Sequence, residues 1–213
     1  MYEGRVRGVP VADHGLPHAM IVGRHGRRFM NEKQVNSGLP FLERDPDTDE
    51  PAHLPAWRIY DAQFAAKYAH ALPKGSPEGR LYKDNTLAGL ARQIGLDPDT
   101  LAETAQRMSD FARKGVDEDF GRGNTIWDLY RGVDPRVSPN PALGTIELPP
   151  FYAFPFKPSI LGTKGGPRTN AKGQVVNEDS EVTSHCRLGG LCDAHVVLRT
   201  ESALEAFNTF LEH

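Results

Sequence analysis

The chain has 213 residues, 25 Lys plus Arg against 28 Asp plus Glu, a formal net charge of −3 and a mean hydropathy of −0.50. A single domain of this length removes roughly 70% of its unfolded surface from water, so one domain, or one and a half, can form without staples. The slightly acidic balance argues against nucleic acid as a partner, and no apolar run approaches the roughly 18 residues of a membrane span. Residues 1–10 carry no apolar signal core and only two cysteines occur, Cys186 and Cys192, so a cytoplasmic protein without a disulfide framework is expected.

In chain order, residues 1–18 hold Gly4, Gly8, Pro10, Gly15 and Pro17 without period and read as irregular. Met20-Ile21-Val22 is a short strand, residues 23–28 turn, and Phe29-Met30 opens a second strand. Ser37 to Pro55 reads as a long surface loop. Ala56 to Tyr60 alternates as a strand, and Asp61 caps a helix running to about Ala71. Thr86 to Ile94 forms a short helix. The clearest helix follows: Asp97 at the N-cap, Pro98 at the first position, Leu101, Ala105, Met108 and Ala112 at helical spacing, and Gly115 at the stop. Residues 121–150 are rich in Gly, Pro and Asn. Phe151 to Phe156 is a strand that Pro155 makes an edge or bends. Ala171-Lys172-Gly173 turns a hairpin, and Ser202 to Glu205 is a capping box before a short terminal helix.

Several constellations bear on chemistry. Gly162-Thr163-Lys164-Gly165-Gly166 is a glycine-rich turn whose backbone can approach a flat ring, though its spacing is not that of a phosphate loop. His185, Cys186, Cys192 and His195 lack zinc-site spacing, so no metal is expected. Asp117, Glu118 and Asp119 read as a solvated acidic turn, Gly121-Arg122-Gly123 as an incomplete dinucleotide fingerprint, and His14 and His18 as surface residues. Arg27-Arg28-Phe29-Met30-Asn31-Glu32 is denser. Its guanidiniums and amide can bind an anionic or carbonyl oxygen while Glu32 holds one arginine, or the group forms a surface ion pair beside a strand.

Together, residues 21–32, 54–61, 115–122, 150–153 and Leu161 to Gly166 resemble, in order and spacing, the flavoproteins that include 3-ketosteroid Δ1-dehydrogenases and soluble fumarate reductases. The resemblance implies an α+β chain: residues 1–18 irregular, 19–150 a substrate or cap domain, 151–182 partial strands of an FAD domain, and 183–213 a divergent tail. It implies FAD as cofactor, with Gly162, Thr163, Lys164, Gly165 and Gly166 against the flavin, and a small apolar carbonyl compound as substrate. Arg28, Asn31, Glu32, Asn36 and Tyr152 are the substrate-facing candidates. The family reaction creates or saturates a carbon–carbon double bond beside a carbonyl.

Two departures matter. Five residues after Asn31, where the dehydrogenases place a tyrosine and the reductases an arginine, stands Asn36, which can hydrogen-bond a carbonyl but is no proton donor or base near neutral pH. The family's dinucleotide-binding G-x-G-x-x-G unit and its closing Gly-Leu-Tyr-Ala-Ala-Gly segment have no counterpart, the register being lost near residue 183. A truncated member is therefore expected, with a second chain to supply the FAD domain; the alternative is a non-catalytic remnant that binds a ligand or partner.

Overall fold

The computed structural model describes residues 15–34, 37–69, 81–130, 132–158, 168, 170, 172, 174–177 and 179–187. The chain divides into two compact units, residues 1–159 and 160–213. In the first, four strands, β1 (Ala19–Val22), β2 (Ala56–Tyr60), β3 (Tyr82–Asp84) and β4 (Phe151–Phe156), form an antiparallel sheet in the order β1-β2-β4-β3. Register is set by Ile21 opposite Arg58, Trp57 opposite Pro155 and Ala153 opposite Tyr82.

Period-two alternation divides this sheet between two cores. Met20, Val22, Trp57, Ile59, Phe151 and Ala153 face helices α2 (Leu87–Ile94) and α3 (Pro98–Lys114), where Leu90, Ile94, Leu101, Ala105 and Met108 meet them. The opposite residues, Ala19, Tyr60 and Phe154, pack with Phe64 and Tyr68 at α1 (Ala62–Lys67). Ile21 and Ala56 pack with Met30 and Phe41. Both faces are thus covered, and β1 and β2 are buried along their whole length.

Local signals explain the helices. The Thr86 hydroxyl accepts from the Gly89 N–H at 2.9 Å, and Asp97 accepts from the Thr100 N–H at 2.8 Å. Gly115 ends α3 at φ 81°, and a Cβ there would meet Pro139 Cγ at 2.7 Å, so only glycine fits this stop. Asp61 does more than cap α1. One carboxylate oxygen accepts from the Gln63 and Phe64 N–H groups and the other from those of Glu147 and Leu148, at 3.0–3.3 Å. Asp61→Ala strands four donors at a buried position, and a loss of about 3 kcal/mol is expected in urea denaturation, more than the roughly 1 kcal/mol of an ordinary cap.

Several expectations need correction. Phe29-Met30 forms no strand: a single bridge joins Val22 and Arg28, and the chain then turns as Asn31 Oδ1 accepts from the Lys33 N–H at 2.8 Å. The long 37–55 loop contains a 3-10 turn, Leu39–Leu42, held by buried Phe41. The first helix stops at Lys67, before Ala71. Residues 151–156 form β4, which pairs with both β2 and β3 in the main sheet. Pro155 is tolerated there because β3 pairs only with Phe151 to Ala153.

His18 is buried, not superficial. It has φ 62°, lies 2.9 Å from the Thr145 carbonyl through Nδ1 and 3.1 Å from Lys67 Nζ through Nε2, and burial lowers its pKa. In the second unit β5 (Gln174–Val176) pairs with β6 (Val182–Arg187). The turn expected at 171–173 falls on residues of which only Lys172 is described; beside it the Asn170 N–H donates to the Gln174 carbonyl at 3.0 Å, and the Asn177 N–H donates to the Glu181 carbonyl at 2.9 Å. The capping box at Ser202 lies outside the described residues. Among the described residues no helix is long and apolar enough to cross a membrane.

Candidate functional site

The turn after β1 closes through the Gly23 N–H to the Arg27 carbonyl at 3.0 Å, with Gly26 at φ 72°. It brings Arg28 back under the strand. The Arg28 guanidinium then meets two carboxylates edge-on: Nε and Nη2 donate to Glu32 at 3.0 and 2.8 Å, and Nη1 and Nη2 donate to Asp117 at 3.1 and 2.8 Å. The Phe120 ring lies 5.2 Å from its central carbon. Such paired forks are the strongest form of this contact.

A second guanidinium completes the group. Arg122 is fully buried and donates to the Ala19, Gly15 and Leu16 carbonyls at 2.9, 2.9 and 2.8 Å, with Nη1 3.3 Å from Glu32. Asp117 accepts from the Arg122 N–H at 3.1 Å, so it folds the 117–122 loop as well as holding Arg28. Glu32 also accepts from the Ile21 N–H at 3.1 Å, which covers the outer side of edge strand β1. Burial alone raises the Glu32 pKa, but Arg28, Arg122 and these hydrogen bonds outweigh it and lower it to about 2. For Asp117 burial likewise opposes ionisation, and Arg28 and the Arg122 N–H bring its pKa below the usual value. Burial disfavours both arginine charges; Glu32 and Asp117 reverse this for Arg28, whereas the Arg122 pKa is lowered. Two cations and two anions therefore balance in a closed, neutral cluster.

This corrects two readings. The Arg28–Glu32 pair is an interior ion pair, not a surface one, and Asp117 is buried rather than solvated. Arg122, discounted as part of an incomplete fingerprint, is central. Its visible signal was an arginine between two glycines, three residues after an acidic triplet.

Of the substrate-facing candidates, Arg28 and Glu32 come together inside this cluster, with their polar atoms committed to one another and to Asp117. Asn31 is half-buried at its rim, where Nδ2 donates to Asp128 at 3.3 Å. Asp128 also accepts from the Gly123 N–H at 3.1 Å, tying helix α4 (Ile126–Tyr130) to Asn31. Tyr152 belongs to the aromatic cluster: its ring stacks on Tyr60 at 4.9 Å and 8°, with Lys83 Nζ 5.6 Å from its centroid. Asn36 and Gly162, Thr163, Lys164, Gly165 and Gly166 lie outside the described residues.

A dinucleotide cofactor needs free N–H groups, usually at a helix N-terminus, for its pyrophosphate. At α1, α2 and α3 these groups are taken by Asp61, Thr86 and Asp97, two of them carboxylates that repel phosphate. None of these three N-termini fits such a group.

Comparison with known proteins gives concordant matches. The family described as FAD binding domain matches residues 9–184. A 3-oxosteroid 1-dehydrogenase of Mycolicibacterium smegmatis is 38% identical over 191 residues, which cover 81% of this chain and 32% of that protein. The solved 3-ketosteroid Δ1-dehydrogenase of Sterolibacterium denitrificans, in complex with 1,4-androstadiene-3,17-dione, is similar with a TM-score of 0.65 and 31% identity over 81% of this chain and 32% of its own. A flavocytochrome c3 fumarate reductase shares the fold at a TM-score of 0.54 and 23% identity, over 82% of this chain and 27% of its own. The chain thus spans about a third of the length of the curated relatives it matches.

Proposed function

The chain belongs to the FAD binding domain family, an FAD-dependent oxidoreductase family close to the 3-oxosteroid dehydrogenases, and from that premise we propose that it serves as the substrate-covering part of such an enzyme. The substrate is a small apolar ring ketone, and the reaction forms or saturates a carbon–carbon double bond beside its carbonyl. The observation that carries this reading is the likeness to the steroid-bound dehydrogenase, at 31% identity with the fold retained. When bound, FAD supplies the two-electron exchange. The chain's own residues orient the ketone: the neutral Arg28–Glu32–Asp117–Arg122 cluster holds the turn that carries Asn31, and Asn36 is proposed to offer its amide to the carbonyl. Tyr152 is the aromatic candidate on the sheet, and Gly162 to Gly166 are proposed to lie against the flavin.

The occupied helix ends favour a second reading, a module that binds a ring ketone or a partner without catalysis. One preparation separates the two. The full chain is incubated with excess FAD, desalted, and titrated without oxygen with 4-androstene-3,17-dione, reading flavin absorbance and thermal shift. Retained flavin that bleaches on steroid addition is the expected result. A colourless protein stabilised by steroid favours the binding module, and a colourless protein indifferent to steroid overturns both.

A further inference from the structure

Helix α4 is inside out. Its one buried residue is the carboxylate Asp128, held by the Gly123 N–H and Asn31, while Ile126, Trp127, Leu129 and Tyr130 are 89%, 55%, 39% and 74% exposed. A surface helix ordinarily hides its apolar side and shows its charge. Here the polar anchor faces inward and fixes four apolar side chains outward, with the Trp127 and Tyr130 rings stacked at 6.3 Å. The grooves along α3, lined by Arg27, Glu103, Arg107 and Phe120, are elsewhere and carry paired charges.

We propose that α4 is a self-association surface that pairs with α4 of a second copy of this chain. Three features support this occupant. The four side chains present on the order of 600 Å² per copy, so a symmetric pair that covers them fully buries about 1,200 Å², the lower end of the range for a stable interface. A patch of that size exceeds what isolated surface apolar residues make. Finally, Asn124, Thr125, Ile126, Trp127, Leu129 and Tyr130 carry no charge, so a two-fold contact that sets the patch against itself meets no repulsion from these side chains. Trp and Tyr are also the side chains that most often dominate such contacts.

Sedimentation velocity of the full chain across the micromolar range tests this. A concentration-dependent dimer is expected, and Tyr130→Glu and Ile126→Asn should each raise its dissociation constant at least tenfold with an unchanged thermal midpoint of the dilute protein. The chain has two tryptophans, Trp57 buried and Trp127 exposed. Concentration should therefore shift part of the emission to the blue and shield it from iodide, an effect absent in Tyr130→Glu. A monomer throughout the range, or a dimer indifferent to both variants, overturns the proposal. Neither readout involves flavin or steroid, so the result stands apart from the functional reading.

Discussion

Arg122→Ala is expected to lower stability by about 3–5 kcal/mol, a large share of the roughly 5–15 kcal/mol that holds a domain folded. Charge is not the main reason. Glu32 keeps Arg28 when Arg122 is removed, so no carboxylate is left alone in the interior. The larger loss comes from the carbonyls of Gly15, Leu16 and Ala19, which all depend on this one guanidinium and cost about 1–3 kcal/mol each when buried without a donor. Arg122→Lys should restore less than half of the loss. A single ammonium cannot reproduce two nitrogens set apart in one plane, one serving Ala19 and the other Gly15 and Leu16. The damage should also be local before it is global. Arg122 pins the stretch leading into edge strand β1, so hydrogen exchange at residues 19–22 should accelerate in Arg122→Ala more than in α3. Urea denaturation showing a loss below about 1 kcal/mol would mean that water replaces the guanidinium.

This dependence was hard to read in the sequence for a physical reason. The helices were legible because their signals are local. Thr86, Asp97 and Pro98 start α2 and α3, Gly95 and Gly115 stop them, and every partner lies within a turn. Strands β1, β2 and β4 were legible as short runs of apolar and β-branched or aromatic residues. Only alternation divided them into two faces, and the fully buried Arg58 among Tyr60, Phe64 and Phe154 broke the simple apolar rule.

The cluster obeys no local rule. Arg28 meets Asp117 across 89 residues and Arg122 meets Leu16 across 106, separations at which spacing carries no information. In the chain, Asp117 looks like any acidic turn and Arg122 like any glycine-flanked loop residue. The family resemblance did include both segments; it marked Arg28, Asn31 and Glu32 of residues 21–32 as substrate-facing candidates and gave residues 115–122 no role. Phe29-Met30 failed for the opposite reason. Two apolar residues suggested a strand, but the Asx turn at Asn31 redirects the backbone before a ladder can form.

Acid should unfold the protein through this same cluster. Glu32, with a folded pKa of about 2 against an ordinary 4.5, and Asp117, lowered from 3.8, bind protons more readily in the unfolded chain than in the folded one. Their stabilisation is therefore fully present above about pH 5 and is lost as the pH falls from about 4.5 toward 2. Glu32 alone contributes on the order of 3 kcal/mol across that window. Exposed pairs such as Arg107–Asp119 add little, and salt screens them. Urea denaturation at pH 7, 5, 4 and 3 should thus show a fall that persists in high salt. Glu32→Gln provides the decisive comparison. Glutamine can still accept from the Ile21 N–H, yet it leaves Arg28 and Arg122 with Asp117 as the one remaining anion of the cluster. The variant should be less stable at pH 7 by about 3 kcal/mol and should lose less on acidification. The two stability curves then approach each other down to pH 3 and meet only below about pH 2, where native Glu32 is protonated and, like glutamine, carries no charge. Parallel curves would show that the acid sensitivity arises outside the cluster.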